Sequence, residues 1–131
     1  MKRMNLFLKS FAAIMLVVLC CACDSMDSYS ARGMTRMNLN NKWNCKFKSV
    51  NGTLNGKFTA KQDNPILVVE NRLESGAATI IVKSDGKEIV PEHPMASGTE
   101  TLRNLPLHKG DKVIVKVSLT DAKGGFSVTM P

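Results

Sequence analysis

The sequence predicts an all-β fold: a small antiparallel β-sandwich of about eight strands, preceded by a signal segment and a flexible tether. Three observations carry this. From residue 42 onward, apolar and polar residues alternate with a period of two. Turn-forming pairs break that alternation roughly every 8–12 residues. No helical period of useful length appears after residue 23. The expected organisation is a signal over 1–22, a tether over 23–41 and a sandwich over 42–131.

The chain opens Met1-Lys2-Arg3, with Lys9 further on, and Phe11 to Cys23 carries no charge. A basic start, a short apolar stretch and small residues at its end are the parts of a secretory signal. The apolar stretch, about 13 residues, falls short of the roughly 20 that a bilayer-spanning helix needs. Cys20, Cys21 and Cys23 close it in "LVVLCCACDSMD". This segment resembles the signal of bacterial lipoproteins, in which apolar or small residues directly precede a cysteine that is acylated and becomes the first mature residue. Cys20 follows Leu19, too bulky for the cut. Cys23 follows Ala22, the best fit, and is the first choice for lipidation, with Cys21 the second. The resemblance implies an exported protein held to the membrane by a covalent lipid anchor, palmitate among its chains. Stable anchoring takes two or more acyl chains, each buried methylene contributing about 0.8 kcal/mol.

Cleavage before Cys23 leaves 109 residues with a net charge of +4, against +7 for the whole chain, because Lys2, Arg3 and Lys9 leave with the signal. A residual +4 suits solubility and is no nucleic-acid footprint. Cys45 is the one cysteine besides the anchor, so no disulfide framework is available and the core alone holds the fold.

Residues 24–41, "DSMDSYSARGMTRMNLNN", are polar without a sustained period. They read as a flexible tether whose eighteen residues reach on the order of 60 Å. The strands follow. "KWNCKFK" puts Trp43, Cys45 and Phe47 on one face and Lys42, Asn44, Lys46 and Lys48 on the other. "TLNGKFTAK", "ILVVENRL", "AATIIVK", "KEIV", "ETLRNL", "KVIVKVSL" and "GFSVTM" complete the set. The breaks are turn pairs: Asn51-Gly52, Asn55-Gly56, Asn64-Pro65, Ser75-Gly76, Lys109-Gly110-Asp111 and Gly124-Gly125. Asp85-Gly86 is the best hairpin signal, since both residues tolerate positive φ. Pro91, Pro94 and Gly98 make "PEHPMASG" the longest expected loop.

From about residue 50 on, "VNGTLNGKFTA", "SDGKEI", "LPLHKGDKVIVKV" and "DAKGGFSVTM" resemble a widespread type of small β-sandwich module in bacterial lipoproteins. That resemblance implies a fold and no catalytic residues.

The chemistry-bearing residues are few. His93 and His108 lack metal-ligand spacing, and a zinc site needs three or four ligands. Cys45 lies on the apolar phase of a strand, which suits a core residue better than a nucleophile. Met34 and Met37 form a weak soft-metal pair in the expected tether. No cofactor or metal is expected. Two candidate sites remain: a binding loop with Glu92, His93 and Met95, and a basic face of Lys42, Lys46 and Lys48. The aromatic residues of the strands all fall on the apolar phase, so Trp43 is expected to be buried and the strand faces are not expected to bind sugar tightly. The sequence thus predicts a non-enzymatic, membrane-anchored binding or structural module of the cell envelope with an envelope protein as partner and no nucleic acid. A small-ligand or glycan-binding accessory module is the alternative.

Overall fold

The computed structural model describes residues 27–131. The expected signal and the lipidation candidates Cys23 and Cys21 lie outside the described residues.

Eight strands form one antiparallel network: β1 (Ser28–Arg32), β2 (Thr35–Leu39), β3 (Lys42–Thr59), β4 (Leu67–Asn71), β5 (Ser75–Ser84), β6 (Lys87–Pro94), β7 (Gly98–Leu102) and β8 (Lys112–Thr129). β3 and β8 are 18 residues long and pair along their whole length, Lys42 opposite Thr129 and Thr59 opposite Lys112. Register shifts between Phe47 and Gly52 bend this central pair, as bulges do. Each half then recruits its own neighbours. Residues 42–46 pair with β2, and Phe126–Thr129 pair with β4, which carries β7. Residues 49–53 pair with β1, and Ile114–Lys123 pair with β5, which carries β6. The result is a sandwich in which the layers β2–β3–β8–β4–β7 and β1–β3–β8–β5–β6 share their two central strands.

One contact shows how the layers stack. Gly56, in the second half of β3, lies against the indole of Trp43 in the first half. A Cβ at Gly56 would stand 2.3 Å from Trp43 Cε3. The two halves of one strand therefore face each other across the core. Trp43, Cys45, Leu54, Phe126, Val128 and Met130 are all fully buried there. The Trp43 and Phe126 rings meet edge to face, centroids 4.9 Å apart, a geometry worth about 0.5–1.5 kcal/mol beyond the area it buries.

The period-two reading thus places the core correctly, and the Asp85-Gly86 hairpin joins β5 to β6 with φ of 54° and 74°. Three expectations need correction. First, residues 28–39 of the expected tether are the strands β1 and β2. Their side chains are mostly exposed, because both are edge strands, so they show no apolar alternation. The hairpin to β3 turns on Asn40 and Asn41, both at positive φ, and Asn41 also fastens the ends of β3 and β8 through Thr59 and the Met130 N–H. Second, Asn51-Gly52, Asn55-Gly56 and Gly124-Gly125 lie inside the long strands rather than between shorter ones. Third, residues 91–94 belong to β6. Pro91 is tolerated because β6 is an edge strand, where a missing N–H breaks no ladder. The longest connection is 103–111, anchored by buried Leu105 and Leu107.

A polar clasp spans each open side of the sandwich. On one side Arg36 of β2 pairs with Asp27 and donates to the Asn55 carbonyl at 2.7 Å, its guanidinium 5.5 Å over the Trp43 ring. Asp27 accepts the Asn55 N–H at 2.7 Å. On the other side His93 Nε2 of β6 lies 3.1 Å from Glu100 Oε1 of β7.

Candidate functional site

The outer face of the β2–β3–β8–β4–β7 layer carries a trough along β8. Register aligns Lys42 with Thr129 and Val68, Asn44 with Ser127 and Glu70, and Lys46 with Gly125. The outward residues of β8 are therefore small, between longer side chains on β3 and β4. At Gly124 and Gly125 the floor is bare backbone. A Cβ at Gly125 would stand 2.4 Å from the Cys45 carbonyl, and one at Gly124 would stand 2.5 Å from the Arg72 carbonyl. The glycines are needed because β8 is wedged this closely between its neighbours. Asn44 and Lys46 form one wall, Arg72 and Glu74 the other, and the open hollow measures about 360 Å³.

The walls carry both donors and acceptors. Arg72 Nη2 donates to Asn44 Oδ1 across β8, and Nη1 to Glu70 Oε1 at 3.3 Å. Lys123 lies 3.6 Å from Glu74. The Arg72–Glu70 and Lys123–Glu74 pairs are 44–66% exposed, and such pairs are worth little. A ligand rich in hydroxyl groups can exchange for them at small cost. A second hollow, about 430 Å³, lies on the opposite layer, where Lys57, Lys112 and Ile114 line it. Its charged groups are all cations, which suits a polyol less well.

The sequence-predicted candidates are dispersed. Glu92 accepts from Thr79 Oγ1 at 2.9 Å on the β5–β6 edge. His93 is held between the Pro91 carbonyl and Glu100. Met95 is buried, its N–H bonded to the Ala78 carbonyl at 3.0 Å. These three do not form a binding loop: alternation along a strand separates Glu92 from His93, and Met95 packs into the core. Of the basic face, Lys42 and Lys46 project outward from β3, and Lys46 borders the trough. Lys48 is exposed and covers Gly33. Met34 packs on the core while Met37 is exposed, so the two do not converge. Among the described residues no group of three or more His, Cys, Asp or Glu is placed to hold a metal.

Cys45 is a core residue, as its phase predicts. Burial pushes its thiol up to about 11, against smaller downward pulls from the Arg36 guanidinium and the Trp43 indole. At neutral pH it is a neutral thiol, the opposite of an activated nucleophile. Sequence reasoning missed the trough. A signal was there: glycine inside a strand pattern can mark a close backbone approach as well as a turn.

No family model matches the sequence, and no curated protein matches it. Solved structures with a similar fold include the carbohydrate-binding module TmCBM61 in complex with β-1,4-galactotriose, at 15% identity and a TM-score of 0.48, covering 82% of this chain and 88% of that one. Another is CBM35 from Paenibacillus barcinonensis, at 12% identity and 0.48, covering 81% and 96%. A third is PliG of Aeromonas hydrophila, a periplasmic inhibitor of g-type lysozyme, at 13% identity and 0.44, covering 78% and 89%. At these identities no residue of theirs maps onto a residue here.

Proposed function

We propose that this protein is an exported, lipid-anchored binding module that acts without catalysis, and that the trough along β8 takes a hydroxyl-rich ligand, a segment of a carbohydrate chain. One observation carries the reading: a backbone floor at Gly124-Gly125 lies between Asn44, Lys46, Arg72 and Glu74, which together offer donors and acceptors on both sides. Cys23 is the proposed anchor. No aromatic ring lines the trough among the described residues, so the affinity rests on hydrogen bonds and is modest. The sequence alone put a binding site in the 91–98 loop and not on a strand face, so this reading departs from it.

The test is a glycan array followed by calorimetry on the best hit. Arg72→Ala and Asn44→Ala alter exposed groups, so each should abolish the heat of binding and leave Tm within about 2 °C. Absence of any glycan hit, or a hit insensitive to both substitutions, refutes the trough. A cross-linked envelope protein whose contacts cover β8, and which free sugar does not displace, would put a protein partner there instead.

A further inference from the structure

The positive charge is gathered at one place. Residues 27–50 carry five cations, Arg32, Arg36, Lys42, Lys46 and Lys48, against one acid, Asp27, which pairs with Arg36. Residues 51–131 carry ten cations against nine acids, close to neutral. The charged segment is β1, β2 and the first half of β3, one edge of the sandwich.

The same edge exposes the largest apolar side chains outside the core. Met37 and Leu39 on β2 are 62% and 63% exposed. Register sets Leu39 beside Lys42, Met37 beside Asn44 and Thr35 beside Lys46. The face at this edge therefore alternates apolar groups and lysines, and among the described residues β2 has no strand beyond it. A monomer gains nothing in water from such a mixture, but a surface with an acyl layer beneath anionic headgroups accommodates both parts.

The chain also enters the fold at this edge. Asp27 is pinned by Arg36 of β2 and by the Asn55 N–H. Only four residue steps separate Cys23 from Asp27, a reach of about 14 Å at full extension. An anchor at Cys23 therefore keeps β2 within a headgroup layer's distance of the bilayer.

We propose that the β2 edge, with Met37, Leu39, Lys42, Lys46 and Lys48, docks on an anionic lipid bilayer and sets the orientation of the anchored domain. This rests on the anchoring half of the function proposed above, and Lys46 is common to the patch and the trough wall. Strands lie about 4.8 Å apart, so β8, two strands in from β2, stands roughly 10 Å along the sheet from this patch. Because Met37 and Leu39 share the outer face with Asn44 and Lys46, docking turns the trough toward the headgroup layer.

The full-length mature protein, purified with its N-terminal peptide mass confirmed, is reconstituted into vesicles of phosphatidylethanolamine with phosphatidylglycerol. A membrane-impermeant amine reagent labels the outer lysines, read by peptide mass spectrometry. Lys42, Lys46 and Lys48 should label at least five-fold more slowly than in detergent micelles, with Lys57 and Lys109 unchanged. Protection should fall at least three-fold in phosphatidylcholine vesicles. It should also fall in the double variant Met37→Glu, Leu39→Glu, which alters exposed positions and keeps the wild-type Tm. Equal labelling in vesicles and micelles overturns the proposal. So does protection that persists in detergent, which marks contact with protein rather than lipid. An unmodified Cys23 overturns it too, because the patch acts as the second contact of an anchored chain. Sugar binding by the trough is read separately by calorimetry, so neither result stands in for the other.

Discussion

The stacking of β3 on itself can be tested with one methyl group. A Cβ at Gly56 would lie 2.3, 2.7 and 2.8 Å from three atoms of the Trp43 indole. Ordinary carbon contacts are about 3.5–4.0 Å, so ring or strand must move by more than an ångström. The ring has no room to yield. It is fully buried, with Phe126 edge-on at 4.9 Å and Arg36 on its face. Overpacking of this kind costs typically 1–3 kcal/mol, and a fixed aromatic neighbour puts Gly56→Ala at the upper end or above it. Alanine regains roughly 0.5–1 kcal/mol of backbone entropy over glycine. The net expectation is a loss of about 2–3 kcal/mol, which in a domain of this size lowers Tm by roughly 10–20 °C. Urea unfolding followed by circular dichroism measures it. Trp43 is the only tryptophan, and its emission from the native protein should be blue-shifted. In a Trp43→Leu background the smaller side chain leaves space, so Gly56→Ala should then cost less than about 1 kcal/mol, a coupling near 2 kcal/mol. A neutral or stabilising Gly56→Ala in the wild type would mean that the halves of β3 do not face each other, and the sandwich as described would be wrong.

Other outcomes follow from the same structure. Trp43→Ala removes the largest buried side chain and should cost about 3–5 kcal/mol, much of the roughly 5–10 kcal/mol expected for such a domain, leaving it largely unfolded by near-ultraviolet circular dichroism. Cys45 has its native pKa raised from 9.0 to about 11. The unfolded thiol therefore loses its proton first, and stability is full below pH 9 and falls between pH 9 and 11 by up to about 3 kcal/mol. Urea titrations across that range should show a slope that Cys45→Ala removes, and an unchanged slope would refute the burial. Arg36→Ala opens the clasp, uncovers the Trp43 ring and leaves Asp27 without its guanidinium. It should cost about 1–2 kcal/mol, and Arg36→Lys should not restore it, since a lysine cannot reach Asp27 and the Asn55 carbonyl together.

The parts of this fold that were legible from sequence are those governed by burial. Trp43, Cys45 and Phe47, then Val113, Val115 and Val117, alternate because one face of each strand meets the core. What alternation cannot report is an edge strand with both faces wet. β1 and β2 looked like a tether for that reason, and only Asn40-Asn41, two residues suited to positive φ, announced the hairpin. Glycines misled in the opposite sense. Gly56, Gly124 and Gly125 read as turns, whereas each sits in a strand where another group comes too close for a side chain. The trough was hidden by the same error, since its floor is those last two glycines. Its walls come from Asn44 and Arg72, 28 residues apart and joined only by register. The loop expected to bind, 91–98, dissolved because an edge strand tolerates Pro91.

The sharing of β8 by both layers has a temporal consequence. β8 is the last of the eight strands to be synthesised, yet β3, β4 and β5 all pair with it. Until residues 112–129 emerge, β3 has only the short edge strands β1 and β2 to pair with, and nothing joins β4 to β5. Such distant pairings carry a loop-closure cost before they return any stability, and folds of this kind close on the order of milliseconds to seconds. The nascent chain therefore has no stable intermediate layer to stop at. The two layers therefore close together when β8 pairs with β3, β4 and β5. For an exported chain, as proposed above, this delay postpones the closing of the sandwich until β8 is made.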